Sequence, residues 1–153
     1  MQTFLPSRHF WRSAQLLDNR RLGKQRVEAL QVAYTLLDPS YGWQRHPAVN
    51  MWRGHTKALL DYGVEICREW RHRRFKDTCL EKIQALRRAC PDTGAPGWLG
   101  NAAFHASHRA NLLRKDPAFY CKYGWHEDPA MPYVWPAGQD SARWHGSASR
   151  APK

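Results

Sequence analysis

The stretch LDNRRLGKQRVEALQVAYTLLDP constrains this chain most, because it carries a helix start signal, a helix period and a helix stop in one run. Asp18 is a good N-cap, a short acceptor for the unpaired N–H groups of a first turn. Asp38-Pro39 ends the run, because proline cannot donate a backbone hydrogen bond or continue the helix. At about 100° per residue, Leu22, Ala29, Leu30, Ala33, Tyr34, Leu36 and Leu37 share one side. Arg20, Arg21, Lys24, Glu28, Gln31 and Thr35 share the other. Arg26 projects into the middle of the apolar side, where a cation needs a partner or a ligand. Glu28 projects to the surface, where an i,i+4 pair with Lys24 accounts for it.

The same run holds a second signal. Glu28 is the only acidic residue between Asp18 and Asp38, and Arg20, Arg21, Lys24 and Arg26 precede it. Cations gather a polyanion, and a carboxylate among them weakens that attraction unless it has work of its own. The pattern points to chemistry on a nucleic-acid backbone or sugar, with the plain surface pair still open. The whole chain leans the same way: 24 Lys and Arg stand against 13 Asp and Glu, a formal charge of +11. Such a surface favours phosphate-rich partners through counterion release. A generic basic protein fits the charge as well, but 8 Trp in 153 residues do not fit a disordered basic arm.

The rest of the chain reads as helix and loop. Pro47 suits the first position of a second, long helix that runs to about Arg73, with Trp52, Leu59, Leu60, Ile66, Cys67 and Trp70 at helical intervals. A shorter helix covers CLEKIQALRRAC, and PDTGAPGWLG is a loop by its Pro and Gly content. A further helix spans about Ala102 to Lys115, closed by Asp116-Pro117, which starts a short final turn. No convincing set of strands is present. The expectation is a mainly α, single compact helical domain of three to four main helices with long loops, over residues 1–136. Residues 137–153, rich in Ser, Ala, Gly and Arg, are expected to be a disordered basic tail. No apolar run approaches a membrane span, and MQTFLPSRHF lacks the apolar core of a leader, so a soluble cytoplasmic protein is expected. Cys67, Cys79, Cys90 and Cys121 form no CxxC pair and read as small buried hydrophobes.

His105 and His108, with Cys121 and His126 nearby, match no closed zinc-ligand spacing. With Arg109 and Arg114, these histidines are open to two uses, phosphate contact or hydrogen bonds to core carbonyls. Phe119, Tyr120, Tyr123 and Trp125 interleave with Lys122. Aromatics among cations suit stacking on an unstacked base, and equally suit closing a helical core. No phosphate-binding glycine loop and no GxSxG context are present.

Three segments resemble the pyrimidine-dimer DNA glycosylases, the endonuclease V type of phages and bacteria. They are LDNRRLGKQRVEA, YGWQRHPAVNMW and FHASHRANLLRKDPAFYCKYGW, in that order. The resemblance implies that Glu28 is the catalytic carboxylate and that the α-amine at the chain's start, here on Met1, is the nucleophile. It implies excision of a damaged pyrimidine from duplex DNA with strand cleavage through a Schiff base, without a metal or organic cofactor. Two positions depart from the family pattern. Val27 stands where the family has Arg, and Gln2 is bulky, which predicts that Met1 is retained. Together with the clusters above, the expected DNA contacts are Arg20, Arg21, Lys24, Arg26, His46, Arg53, His105, His108, Arg109, Arg114, Lys115, Tyr120, Lys122, Tyr123 and Trp125. The partner is double-stranded DNA, the protein a monomer that associates with the nucleoid when bound. Two alternatives stay open: a monofunctional glycosylase for another modified base, which the departures favour, and a non-catalytic DNA-binding protein.

Overall fold

The computed structural model describes residues 1–136, and the tail expected to be disordered over 137–153 lies outside them. The architecture is mainly α, with no strand among the described residues. A non-helical segment at the N-terminus leads into α1 (Phe10–Leu16), α2 (Asn19–Leu37), α3 (Pro47–Asn50) and α4 (Thr56–His72). Then follow α5 (Leu80–Ala89), α6 (Ala102–Lys115) and α7 (Pro117–Tyr120), which runs into a 3-10 turn, Cys121–Tyr123.

The start signal of α2 works as expected, since the Asp18 carboxylate accepts from the Arg21 N–H. Asn101 and Asp116 cap α6 and α7 in the same way. The expected long second helix is instead two. α3 stops at Asn50, Met51 and Trp52 turn fully into the core, and Gly54 takes φ 81°, a left-handed conformation that glycine adopts without strain. α1 was not anticipated, and its N-cap His9 makes no side-chain cap bond.

α4 is the centre of the fold and packs against α2, α5 and α1. Accordingly it buries Leu59, Leu60, Tyr62, Val64, Ile66 and Cys67 rather than a single stripe. The α2–α4 approach is close at Gly23, where a Cβ would lie 2.8 Å from the Trp70 ring. Arg26 lies over that same ring at 4.5 Å, and its guanidinium binds the Asp77 carboxylate at 2.8 Å. That side chain is fully buried and also accepts from Arg71, Cys79 N and Leu80 N. Burial pushes the Asp77 carboxyl up, but the bonds from Arg26 and the two backbone N–H groups outweigh it and hold it below its ordinary value. The cation on the apolar side of α2 therefore has its partner inside the protein. Cys67, Cys79 and Cys90 are buried as expected, whereas Cys121 is exposed because it begins the surface turn after α7.

Candidate active site

The site depends on how the N-terminal segment is held. α6 presents His105 and His108 three residues apart, on one face, and both bond the backbone of Leu5. His108 Nδ1 accepts from Leu5 N at 2.9 Å. His105 Nε2 accepts from Gly100 N, so its Nδ1 carries the proton and donates to the Leu5 carbonyl at 2.8 Å. One helical turn of imidazoles thus replaces a neighbouring strand. Arg109 extends the row by donating to the Pro6 carbonyl, while its Nε binds Glu127. Burial, then the neighbouring His105 and Arg109, keep His108 neutral with a pKa pushed down to about 3. Of the two uses open to these histidines, bonding the core backbone is the one that occurs.

On the other side the same segment rests on α2 and α4. Gln25 Oε1 accepts from Phe4 N at 3.0 Å and from the Tyr62 hydroxyl at 2.7 Å. That arrangement fixes the amide, so Gln25 Nε2 turns to Glu28 and donates to Oε2 at 2.9 Å. The same oxygen accepts from the Gln2 backbone N–H at 3.1 Å. Trp52 Nε1 donates to Thr3 Oγ1 and completes the anchorage.

Glu28 is therefore 8 % exposed, not the surface residue its helical projection predicts. The projection fails because the covering layer is the chain's own first residues, which lie over the polar side of α2. Lys24 keeps the expected pair at 3.8 Å from Glu28 Oε1, but the pair lines a cleft. The cleft holds about 330 Å³ and is bounded by Met1, Gln2, Phe4, Arg20, Arg21, Lys24, Gln25, Glu28, His46, Lys115, Tyr133 and Trp135. Its volume is at the small end of ligand sites.

The cleft is electropositive around its one carboxylate. Burial, then Arg21, Arg114 and Lys24, push the Lys115 amine below its usual range, with Glu28 opposing them. Arg21 is tied to Asp18 at 3.0 Å. Burial raises the Asp18 carboxyl, but bonds from the Tyr120 hydroxyl and Arg21 hold it below its ordinary value. His46 is buried, caps α3 by accepting from Ala48 N at its Nδ1, and so carries its proton on Nε2 when neutral. Burial, then the ammonium at the N-terminus, keep its pKa below the usual value. Two buried donors on cleft residues, Gln2 Nε2 and Trp135 Nε1, have no hydrogen-bond partner among the described residues.

The residues singled out from the sequence divide. Met1, Arg20, Arg21, Lys24, Glu28, His46 and Lys115 meet at the cleft. The others are held elsewhere. Arg26 is committed to Asp77, Arg53 to Gln44 and Asn50, and Arg114 to Asn111 and the Pro129 carbonyl. Tyr120 is fully buried against Asp18, the Tyr123 hydroxyl donates to the Leu16 carbonyl, and Trp125 stacks on Tyr120 at 5.7 Å. Lys122 lies over the Phe119 ring at 3.9 Å. Gln2, Phe4, Gln25, Tyr133 and Trp135 join the cleft without having been singled out as site residues. Gln25, three residues before Glu28, was the one with a signal: a polar residue one helical turn from the lone carboxylate. A larger cleft of about 510 Å³ lies between α1, α4 and α5, but two of its three arginines face carboxylates, Arg87 with Asp61 and Arg68 with Glu65.

A helical protein whose cleft sets one buried carboxylate among cations has the charge that suits a phosphate-bearing substrate. The family model for pyrimidine dimer DNA glycosylase matches residues 1–82, more than half of the chain, and the chain belongs to that family. No curated protein and no solved structure matched the chain.

Proposed function

We propose that this protein excises a dimerised pyrimidine from duplex DNA and then cuts the strand, with the Met1 α-amine as nucleophile and Glu28 as the assisting carboxylate. The observation that supports the reading is the bond from the Gln2 N–H to Glu28 Oε2, 3.1 Å, in a cleft that Met1, the preceding residue, and Glu28 both line. α-Amines as a class have a pKa of about 7.7–8.0, so roughly a tenth of such a group is free base at neutral pH, far more than of an ordinary lysine. Its nitrogen bonds to the sugar C1′ as the bond to the base breaks, and the electron pair leaves with the base, which takes up a proton. Opening of the C1′–O4′ bond gives the iminium, whose positive charge the Glu28 carboxylate stabilises. Loss of a C2′ proton expels the 3′ phosphate, and water then releases the sugar and restores the amine. Glu28 is positioned to take the protons these steps release. Arg20, Lys24 and Lys115 hold the flanking phosphates.

The test scores base release and strand nicking separately on duplexes carrying a cyclobutane thymine dimer or an abasic site, with and without borohydride. The expected result is both activities and a reduced cross-link that mass spectrometry places on residue 1. A cross-link on Lys115 or another lysine overturns the nucleophile. Base release without any trapped species points to the second reading, a monofunctional glycosylase in which Glu28 activates water. Gln2 supports that second reading: a bulky second residue predicts a retained Met1, and an amine on an unprocessed Met must still reach the sugar that Glu28 faces.

A further inference from the structure

We infer that His46 is a catalytic hydrogen-bond donor of this site: its Nε2–H holds the O2 oxygen of the pyrimidine that leaves C1′. The inference rests on the function proposed above. His46 lines the cleft together with Met1 and Glu28 and is otherwise buried, 8 % exposed. Its backbone is fixed on both sides. His46 N donates to the Trp43 carbonyl at 3.0 Å, and the His46 carbonyl accepts from Val49 N at 2.9 Å and Asn50 N at 3.0 Å. The ring is fixed as well. Nδ1 accepts from Ala48 N at 3.0 Å, and the Trp43 indole stands edge-on to the imidazole with 5.7 Å between centroids. An Nδ1 that accepts leaves the proton on Nε2. A second proton would have to go on Nδ1 and break the Ala48 bond, and burial, then the N-terminal ammonium, oppose it further. His46 is therefore a neutral imidazole that donates from Nε2 and has no lone pair to offer there. Nε2 has no acceptor of its own among the described residues. In the proposed reaction Glu28 accepts protons, and His46 cannot.

The reaction has a place for such a donor. The amine nitrogen bonds to C1′ as the C1′–N1 bond breaks, and the electron pair stays on N1. In a cyclobutane dimer C5 and C6 are saturated, so O2 is the one carbonyl oxygen conjugated with N1, and it takes the developing charge. The amine gives up a proton to Glu28, which passes it to N1, and the His46 hydrogen stays on Nε2 throughout. A fixed donor aimed at a developing oxyanion lowers the barrier strongly, and a neutral imidazole serves as one. O2 lies beside C1′ and faces the minor groove of an intact duplex. A donor in the cleft that attacks C1′ therefore meets O2 without displacing either of the two linked bases. The charges that develop are met separately, the sugar's positive charge by Glu28 and the base's negative charge by His46. The histidine expected among the DNA contacts then reads a base edge. A phosphate is served better by the charged Arg20, Lys24 and Lys115 of the same cleft than by a neutral ring.

The test compares wild type, His46→Asn and His46→Gln on the intact protein. Asn puts its side-chain oxygen where Nδ1 accepts from Ala48 N and leaves no donor where Nε2 stands. Gln reaches the Nε2 position with its amide and gives up the cap. Each protein is measured in single turnover on two duplexes. One carries a cyclobutane thymine dimer, and hot alkali converts every cleaved glycosyl bond to a strand break. The other carries a preformed abasic site, where no base remains to leave, and nicking is read directly. His46→Asn should lose about 10²- to 10³-fold on the dimer and keep the wild-type rate on the abasic site. His46→Gln should recover most of the dimer rate. An unchanged dimer rate in His46→Asn overturns the inference. So does an equal loss on both duplexes, which a misplaced amine or a lost phosphate contact gives, and so does a His46→Gln protein as slow on the dimer as His46→Asn. Where wild type does not nick the abasic site, the contrast between Asn and Gln on the dimer decides alone. A wild type that leaves the dimer's glycosyl bonds intact refutes the proposed function, and the inference falls with it. A wild type that cleaves them keeps that function standing whatever the His46 variants do.

Discussion

Glu28→Gln separates chemistry from architecture at this site. Glu28 Oε2 accepts two hydrogen bonds, from Gln2 N and Gln25 Nε2. A glutamine oxygen has two lone pairs and can accept both, leaving its NH₂ where Oε1 faced Lys24 at 3.8 Å. The fold should therefore keep its melting temperature to within about 2 °C. The reaction should not survive, because the amide cannot take a proton or balance a cationic sugar. Removing such a group costs on the order of 10²- to 10⁴-fold in rate, or about 2.7–5.5 kcal/mol of barrier. DNA binding should tighten, since a phosphate about 7 Å from the lost charge gains ~0.6 kcal/mol in water, roughly three-fold. Glu28→Ala behaves differently. It strands two buried donors at about 1–3 kcal/mol each and should lower the melting temperature by roughly 5–15 °C. Single-turnover base release, thermal melting and a binding titration on the same preparations check all three effects. Full turnover by folded Glu28→Gln, or a Glu28→Ala protein as stable as wild type, would refute the reasoning.

Other substitutions test the surrounding framework. Arg26→Ala should cost about 2–3 kcal/mol in urea unfolding, from the lost Asp77 bond and the contact with Trp70, while DNA affinity stays unchanged. The loss stays below that of a fully stranded ion because Arg71 and two backbone N–H groups still hold Asp77. His108 titrates near 6.5 when unfolded and is pushed down to about 3 when folded, so the unfolded state binds the extra proton between those values. Stability is thus full above pH 6.5 and declines toward pH 3, at up to about 1.4 kcal/mol per pH unit. In His108→Asn, the amide oxygen can accept from Leu5 N without titrating, and unfolding across pH 7 to 4 should lose that share of the slope. With Arg20, Lys24 and Lys115 as phosphate contacts, the logarithm of the DNA binding constant should fall with that of salt at a slope of about −3, and Arg20→Ala should reduce the slope by about 0.9. A flat salt dependence would remove the phosphate contacts from the account.

Local chemistry made much of the helix framework legible. Asp18 and Asp116 sit where short acceptors belong, and Asp116-Pro117 both ends α6 and opens α7. The break between α3 and α4 was harder to read, because Trp52 and Leu59 keep a helical interval across it while Gly54 reverses the backbone. Arg26 was legible as a cation in need of a partner, although Asp77, 51 residues away, could not be named. The site was least legible from periodicity. Period assigns a face to each residue but does not say what will cover it, and Glu28 is covered by residues 26 positions earlier in the chain. The resemblance to the family singled out Glu28 where the helical projection did not. The aromatic segment at 119–125 had two physical uses open to it, and Tyr120 and Tyr123 are engaged in closing the fold rather than left free at the cleft.

The clasp of His105 and His108 on Leu5 has a consequence for synthesis. Leu5 leaves the ribosome early and His108 follows 103 residues later. The first residues of a nascent chain therefore wait, unanchored on one side, until about four-fifths of the described residues have been made. Docking of the amino end is a closing event governed by contacts of long sequence separation, which are slow to form. A ribosome-bound chain that ends before α6 can already form α2 and carry Glu28, yet its first residues have no imidazole row to bind. Activity should then appear in step with the completion of α6 rather than with the helix that bears the carboxylate.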